Sequence, residues 1–397
     1  MRQLSDLVRR HRLASRHGLV RRHDSVAAAT EAMTALHATE AATVHLALWA
    51  RVEGVTVAAV DRALYDEQSI VKQLAMRRTL FAFPRDLLPA AWGSASLRVA
   101  RQQRAQLAKN VAAAGLAEGE AAVEEWIEAA AEAVLAVLAD GTARTTREVR
   151  ERVPALDGRI SVGGGPGKKW GGELPVGSWV MGTLGAEGRI VRAANAGHWR
   201  LNKPAWTTTA HWLGEVPEPL PEAAGYAALV ARWLATFGPG TEADIVWWLG
   251  ATKTAVRRAL ADLDAEQVGL DDGGTGWVLP GDTGTDEEVS PWAALLPTLD
   301  PTVMGWKERG FYLDPADTPY LFDSNGNAGN TAWWDGRIVG CWVQDDAARV
   351  HLVLREDVPA AGRAALEEEA ERLTAWLDGT RITNVYASPQ MRGARLP

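Results

Sequence analysis

The chain has 397 residues, of which 47% are hydrophobic and 23% are charged. This composition supports about two to four packed domains and excludes an intrinsically disordered protein. The single cysteine, Cys341, excludes an internal disulfide framework and a zinc–cysteine cluster. No uncharged apolar run of about 18 residues could span a membrane, and the basic N-terminus lacks the apolar stretch of a signal peptide. We therefore expect a cytoplasmic protein.

The charge is distributed unevenly along the chain. The net charge of −8 argues against a uniformly basic nucleic-acid binder. Residues 1–110, however, contain 17 Lys and Arg against 9 Asp and Glu, which gives +8 and leaves −16 for the remainder. A basic region on an acidic body suits phosphate binding through one face, although surface charge also varies along chains that bind no phosphate.

Residues 1–115 are predicted to form a winged-helix unit. Apolar residues at spacings of three and four predict helices in VAAATEAMTAL, ATVHLALWARV and TVAAVDRALYD. The stretch SIVKQLAMRRTLFAFP is predicted to be an amphipathic helix that runs into the short strand TLFAFP, which Pro84 ends. A helix pair, a third helix and a strand are the parts that a winged helix requires.

Residues 116–220 are predicted to form a second such unit. A long helix is expected to end at Asp140, and Thr145 or Thr146 to cap the short helix that follows. The stretches SWVMGTLGAEGRIVRA and HWRLNK alternate in character and are predicted to be wing strands. The Gly-rich segment GGGPGKKWGGE between them and the short helix predicts a mobile loop or hairpin.

Residues 221–285 carry the clearest helix-turn-helix pattern of the chain. The stretch from YAALVARWLATF to TKTAVRRALADL predicts three helices joined by turns, with Thr241 as an N-cap, and VGLDDGGTGWVLP predicts a hairpin. Residues 286–397 change to short apolar strands followed by one amphipathic helix, which predicts a small α+β or partly closed β-barrel domain. The predicted fold class is therefore α+β.

Polar residues lie where one of the first-unit helices should begin, in LHATEAATVHLALWARV. Thr39 is a candidate N-cap, and Glu40 in the first turn complements the helix dipole, which gives both residues a purely structural role. Alternatively, His37 and Glu40 face a cleft in which either side chain can bind or activate water. His45 lies two turns beyond His37 and suits a core position better.

Basic and aromatic residues that can contact DNA phosphates occur in four segments. They are Arg77 and Arg78 before the first-unit strand; Arg98, Arg101, Arg104 and Lys109 at helical spacing; Lys168, Lys169 and Trp170 in the Gly-rich segment; and Lys307 and Arg309 in WKERGFY. A basic stripe along one helix face supports phosphate contact more strongly than isolated arginines do, but such charges also occur on solvated surfaces.

Three further patterns bear on these segments. GGGPGKKW lacks the G-x-x-x-x-G-K-[ST] spacing of a phosphate-binding loop, so nucleotide hydrolysis is not predicted. Asp300 is expected to hold the WKERGFY loop by hydrogen bonds. The pair Trp247 and Trp248 is predicted to be part of the core rather than a base-stacking platform.

Several stretches resemble the AlkZ-like (YcaQ-like) winged-helix DNA glycosylases of bacteria. They are LALWARV, VDRALYDEQSIVKQLAMRRTLFAFPRDLLP, FGPGTEADIVWWLG, LLPTLDPTVMGWKERG and WWDGRIVGCWV, which follow the family's order and cover most of the chain. The resemblance implies three tandem winged-helix units, closed by a C-terminal β-barrel-like domain, that form a C-shaped cleft for duplex DNA. Family members are monofunctional glycosylases that remove alkylated purines, including bulky N7 adducts and interstrand crosslinks.

The family's catalytic signature is a glutamine, any residue, and then a glutamine or aspartate, just before the LALWAR segment. The matching positions here are His37, Ala38 and Thr39, so neither polar side chain of the signature is kept. N-glycosidic hydrolysis needs a positioned water and a stabilised oxocarbenium-like sugar. A His–Thr pair can position water, Glu40 can supply a carboxylate, and an N7-alkylated purine leaves without a strong acid. A lesion with a poorer leaving group is also compatible.

The resulting hypothesis is a monofunctional glycosylase that hydrolyses the N-glycosidic bond of damaged bases in double-stranded DNA. We expect a monomer without a cofactor or metal, cytoplasmic and on the nucleoid when bound to DNA. The alternative is a non-catalytic DNA-binding or lesion-sensing protein; a transcription regulator fits less well, because three different units suit enveloping a duplex better than reading a palindrome. Lyase chemistry would need a lysine, for which Lys72 is the nearest candidate.

Overall fold

The computed structural model describes residues 1–162, 172–284 and 289–393, which form a mixed α+β fold. Its helices are α1 (Asp6–Arg16), α2 (Val26–Ala32), α3 (Ala41–Arg51), α4 (Val57–Tyr65), α5 (Leu88–Gly93), α6 (Ala95–Ala113), α7 (Glu120–Leu138), α8 (Thr146–Arg150), α9 (Gly177–Ala186), α10 (Thr209–Leu213), α11 (Glu222–Phe237), α12 (Glu242–Leu249), α13 (Lys253–Asp262), α14 (Pro301–Met304), α15 (Thr318–Leu321) and α16 (Ala360–Leu377).

The strands pair into small sheets. They are β1 (Arg2–Gln3), β2 (Leu36–His37), β3 (Ile70–Leu74), β4 (Leu80–Pro84), β5 (Arg144–Thr145), β6 (Arg159–Val162), β7 (Gly172–Pro175), β8 (Ile190–Asn195), β9 (Pro204–Thr208), β10 (Glu266–Gly269), β11 (Thr275–Val278), β12 (Ala293–Leu296), β13 (Thr331–Trp334), β14 (Arg337–Gln344) and β15 (Val350–Leu354). Three-stranded sheets have the orders β2–β4–β3, β5–β9–β8 and β1–β10–β11, and β6 pairs with β7.

The N-terminus joins the sheet of a distant part of the chain. β1 pairs in parallel with β10, with Arg2 opposite Val268 and Gln3 opposite Gly269. The hairpins β3–β4 and β10–β11 are both antiparallel. The N-terminal residues are therefore tied to the sheet that follows α13, and not to the sheet nearest to them in sequence.

The C-terminal strands form an open sheet of the order β12–β13–β14–β15, and α16 packs on it. Within the described ranges these strands do not close on themselves, so the expected β-barrel-like domain over residues 286–397 is not found. The physical reason is that four short strands are too few to close a barrel, whereas one amphipathic helix can cover a sheet of this width.

One large apolar core joins parts of the chain that are far apart in sequence. It contains Leu46 and Trp49 of α3, Trp248 of α12, and Trp333 and Trp342 of the C-terminal sheet, all buried. A separate core lies between α6, α7 and α9. The shared core brings β2, α12 and the C-terminal region together, which positions the site described below.

Three secondary-structure predictions are wrong. Residues 70–74 are a strand rather than a helix, because they pair along their whole length with β4, from Ile70 opposite Pro84 to Leu74 opposite Leu80. SWVMGTLGA forms α9 instead of a wing strand; its buried Val180, Met181 and Leu184 follow helical spacing. HWRLNK is the turn between β8 and β9.

The predictions for α11–α13 and the β10–β11 hairpin are confirmed. Thr241 and Asp244 form a capping box at the start of α12, in which each side chain bonds the other residue's backbone. Thr145 and Glu148 form the same motif at α8. None of the helices in the described ranges combines the length and apolar character needed to cross a membrane.

Candidate active site

His37 lies on β2, at the edge of the first three-stranded sheet. It is 3% exposed and sits opposite Phe81 of β4, with the two rings 4.3 Å apart. The chain leaves the sheet at Ala38, whose amide donates to the carbonyl of Leu80, and enters α3 at Ala41. The N-cap of α3 is Glu40, and its side chain makes no capping bond, so the prediction that Thr39 caps this helix is wrong.

A buried ion pair fixes the helix that follows His37. At the end of α3, the guanidinium of Arg51 donates to both carboxylate oxygens of Asp300, at 2.8 and 2.7 Å, and to the hydroxyl of Thr302 at 2.7 Å. Both partners are fully buried. Such a pair contributes mainly by leaving no buried charge uncompensated, and it ties α3 to α14.

Asp300 does not hold the WKERGFY loop directly. Its carboxylate caps α14 by accepting from the amide of Thr302, whereas Asp244 accepts from the amides of Lys307 and Glu308, both at 2.8 Å. The prediction for Asp300 is thus wrong about the loop. Asp244 is on α12, so these two bonds attach the loop to the helix that also contains Trp247.

The turn between β3 and β4 holds Arg77 and Arg78 in an uncommon conformation. Their φ angles are +52° and +60°, in the left-handed region that usually contains glycine or asparagine. The turn is closed by a hydrogen bond from the Thr79 amide to the Met76 carbonyl. Each non-glycine residue in this region costs about 1–2 kcal/mol, so other contacts must stabilise the turn.

Those contacts come from the side chain of Arg77. One terminal nitrogen of its guanidinium lies 3.3 Å from Nε2 of His37, and the group stacks over the ring of Trp247 at 4.1 Å. Arg309 lies over the same ring at 5.2 Å and over Phe322 at 4.6 Å. Two arginines from different segments therefore meet at one tryptophan beside His37.

His37, Arg77 and Trp247 line a cavity of about 210 Å³. The lining includes His37, Thr39 and Arg77 of the first region (residues 1–115), Trp247 of α12 and Tyr386 of the C-terminal segment. The turn of residues 325–327 completes the lining, and Asp323 accepts from its amides. No carboxylate is among the described residues that line the cavity, and no group of three or more His, Cys, Asp or Glu in the described ranges is arranged to hold a metal ion.

The polar groups of the cavity have defined protonation states. Burial, and then the charge of Arg77, lowers the pKa of His37 well below its ordinary value, so the imidazole is neutral near pH 7. Burial and the neighbouring Arg309 lower the pKa of Arg77 to about 10, which leaves it charged. Nδ1 of His37 and the hydroxyl of Thr39 are buried and have no hydrogen-bond partner among the described residues.

Glu40 does not line this cavity. One carboxylate oxygen accepts from the amide of Tyr386 at 2.8 Å, and the amide of Val385 is a second backbone partner. Burial raises the pKa of Glu40, and these amides oppose the shift. The carboxylate thus holds the segment that brings Tyr386 to the cavity, and it leaves Val385 exposed beside it.

The remaining predicted DNA-binding residues lie apart from the cavity. Arg78 and Lys307 are exposed, and Arg101 is exposed and pairs with Glu222. Arg104 binds three carboxylates, those of Glu124, Glu128 and Glu187. Lys168, Lys169 and Trp170 lie outside the described residues.

Lys72 and His45 are also kept away from the cavity. Phe81 contacts His37 and lies opposite Gln73 in the β3–β4 pairing. Because neighbouring residues of a strand face opposite sides of the sheet, the side chain of Lys72 lies on the other side. Lys72 donates to the hydroxyl of Tyr65, and burial lowers its pKa to about 8. His45 is a core residue, as predicted, bonded to a carboxylate of α4.

Trp247, Tyr386 and the turn of residues 325–327 were not predicted to belong to the site. The sequence DSNGN signals a turn but not its position in space. Trp247 was predicted to be core; its neighbour Trp248 is buried, whereas Trp247 is half-buried and lies against both arginines. No local pattern distinguishes the two tryptophans, because their difference depends on contacts with other regions.

Comparison with known proteins now decides the family. The sequence model described as DNA glycosylase AlkZ-like matches residues 30–376. The chain belongs to the AlkZ-like DNA glycosylase family. The solved structure of Streptomyces sahachiroi DNA glycosylase AlkZ aligns with a TM-score of 0.70 at 20% sequence identity, over 96% of this chain and 98% of that one. This likeness shows the fold. No curated protein sequence gives a match.

Proposed function

We propose that the protein is a monofunctional DNA glycosylase that hydrolyses the N-glycosidic bond of damaged, alkylated or otherwise modified bases in duplex DNA. The observation that carries this proposal is a pair of buried polar groups, His37 Nδ1 and Thr39 Oγ1, that have no partner among the described residues and lie at the positions that match the family's catalytic signature. Both residues line one cavity, in which a water or a substrate atom can bond these two groups.

The proposed reaction needs little from the protein besides positioning. Water held by His37 and Thr39 attacks C1′ of the sugar, the C1′–N bond breaks, and its electron pair leaves with the base. Because a purine nucleotide alkylated at N7 or N3 carries a positive charge on the base, the departing base becomes neutral without an acid, and the water loses a proton to solvent. No carboxylate lines the cavity in the described residues, so the DNA phosphates would stabilise the sugar cation.

Arginines beside the cavity suit the phosphates that flank such a sugar. Arg77 and Arg309 would contact the backbone near the lesion, and the exposed Arg78 and Lys307 would extend this contact outward. Arg101, Arg104 and the Gly-rich segment remain predicted DNA contacts, although Arg104 would have to exchange carboxylate partners for phosphate. We propose that the units over residues 1–115, 116–220 and 221–285 are winged helices around a C-shaped cleft, and that the protein acts as a monomer.

The first test is release of free base from a panel of duplexes. The panel carries N7-methylguanine, N3-methyladenine, deaminated bases, a bulky N7 adduct and an interstrand crosslink. We expect release from alkylated purines that falls by about 100-fold or more in His37→Ala and in the nearly isosteric Thr39→Val. DNA affinity and thermal unfolding are measured in parallel, so that a folding defect is not mistaken for a catalytic one.

Glu40→Gln asks separately whether this carboxylate takes part in the chemistry. A glutamine oxygen can still accept from the Tyr386 amide, so the segment stays in place while the charge is lost. A large fall in excision rate with unchanged folding would assign Glu40 to the sugar cation. A rate close to that of the wild type would limit it to holding the segment.

The alternative is a non-catalytic DNA-binding or lesion-sensing protein. It is favoured by the loss of both polar side chains of the family signature and by the absence of a carboxylate from the described cavity lining. Tight binding to lesion-containing duplexes, with no release from any substrate of the panel, would establish it.

A further inference from the structure

We propose that Arg77 is a positioning residue that fixes the tautomer of His37. It holds the imidazole with its proton on Nδ1, so that His37 offers the site a hydrogen-bond donor and no base. The catalytic consequence rests on the proposed glycosylase function, whereas the tautomer itself does not. Three independent features of the structure support the assignment.

The first feature is the contact itself. A guanidinium can only donate, and the terminal nitrogen of Arg77 lies 3.3 Å from Nε2 of His37. Nε2 must therefore present its lone pair. In a neutral imidazole the single proton is then on Nδ1, because one ring nitrogen donates whenever the other accepts.

The second feature is the free nitrogen. Within the part of the chain that the structure describes, Nδ1 of His37 is buried without a partner, and so is the hydroxyl of Thr39, two residues further along. Both residues line the same cavity. A hydroxyl both donates and accepts, whereas this Nδ1–H only donates, so together they can hold a water through its oxygen and one of its protons. The imidazole cannot remove a proton from that water, because its lone pair is occupied by Arg77.

The third feature is the strained backbone of Arg77 and the stacking that holds its side chain in place. Its backbone is left-handed at φ +52°, and its guanidinium stacks on Trp247 of a different region. Strained residues persist where the surroundings hold them, and they concentrate at functional sites. Arg78 has the same kind of backbone in the same turn, but its side chain is exposed. It is therefore a matched control for charge and turn conformation.

The tautomer is measured directly by two-bond ¹H–¹⁵N correlation spectra of histidine-labelled protein near pH 7. His37→Asn identifies the His37 signals among the eight histidines. We expect the wild type to have a protonated Nδ1 and a bare Nε2. Arg77→Met keeps a long side chain against Trp247 but removes the donor, and it should shift His37 toward the Nε2–H form. Arg78→Met should leave the tautomer unchanged. A protonated Nε2 in the wild type, or an unaltered tautomer in Arg77→Met, would overturn the inference.

Excision kinetics test the catalytic consequence. An asparagine amide can occupy the place of Nδ1, and a glutamine amide the place of Nε2. Under single-turnover conditions with an N7-methylguanine duplex, His37→Asn should stay within about tenfold of the wild type, and His37→Gln should lose at least another tenfold. Arg77→Met should lower the maximal rate more than it weakens DNA binding.

The outcomes separate the two proposals. If His37→Gln is the more active variant, the Nε2 position is the working one, and the positioning role of Arg77 is wrong. If Arg77→Met alters the tautomer but leaves the maximal rate unchanged, the positioning role of Arg77 is also wrong. If the wild type releases no base from any duplex while Nδ1 carries the proton, the proposed function fails and the tautomer assignment stands.

Discussion

The turns of the β3–β4 and β10–β11 hairpins have the same length and share two backbone hydrogen bonds, but their residues differ in chemistry. Each connection has five residues, Ala75–Thr79 and Leu270–Gly274. In each, the first amide donates to the last carbonyl at 3.0 Å, and the fourth amide donates to the first carbonyl at 3.0 Å. The fourth residue is left-handed in both: it is Gly273 in one and Arg78 in the other.

The glycine turn is specified locally, and the arginine turn is not. Asp272 accepts from the amide of Gly274, so that turn is built from its own residues. The first turn has a second left-handed residue, Arg77, whose stabilising contacts are with His37 and Trp247. Turn residues that suit their conformation serve the fold alone. A turn whose residues do not suit it depends on distant contacts, and here those contacts form the candidate site.

The largest effect should come from the buried ion pair that holds the first region to the C-terminal region. Asp300→Ala leaves Arg51 buried and uncompensated, and we expect the free energy of unfolding to fall by about 3–5 kcal/mol. Asp272→Ala, which removes an exposed carboxylate from the local turn, should cost no more than about 1 kcal/mol. Urea unfolding measures both, and similar losses would remove the distinction between the two regions.

Acid should destabilise the protein by protonating the histidines of the first region. Burial lowers the pKa of His17 to about 3 and also lowers those of His23, His37 and His45, whereas residues 221–285 contain no histidine. Because these groups bind protons more tightly when unfolded, stability is full above the unfolded pKa of about 6.5 and is lost as the pH falls below it. His17 alone should cost about 2 kcal/mol at pH 5. Equal urea midpoints at pH 7 and 5 would contradict this.

Gly273→Ala tests the local turn. A Cβ at Gly273 would meet no atom of the described residues within 4 Å, so the cost is that of the left-handed backbone alone, φ +81°. We expect a loss of about 1 kcal/mol in unfolding free energy. A neutral substitution would mean that the turn relaxes to another conformation, which the loss of the Leu270–Gly274 hydrogen bond by amide exchange would reveal.

Arg78→Gly is the reverse substitution at the matched position and should have the smallest effect, with the opposite sign. Glycine relieves the left-handed strain but is more flexible when unfolded, so we expect a gain of about 0.5–1 kcal/mol. DNA affinity should fall in the same variant if Arg78 contacts phosphate. Destabilisation by Arg78→Gly would show that this side chain, like that of Arg77, helps to hold the turn.

The elements that the sequence predicts correctly are likewise those whose signals are local. Helices α11–α13, the caps at Thr241 and Thr145, and the β10–β11 hairpin were predicted because their signals are local. The strand β3 was predicted to be helical, because VKQL can be apolar on one face in either conformation and Arg77–Arg78 gives no turn signal. The sequence does not predict α9, because alternation in a stretch of small residues also indicates a strand.

The family and the basic character of residues 1–110 were determined by the sequence, because residue identity and order carry them. The motif position at His37 and Thr39 is a prediction from the same sequence. The tertiary structure alone decided that Arg77 and Trp247 meet His37, and that Glu40 binds the C-terminal segment instead of lining the cavity. It also left Nδ1 of His37 without a partner in the described ranges. The reason is physical: hydrogen bonds and burial between residues 40 to 350 positions apart depend on how elements pack, and no local pattern encodes that packing.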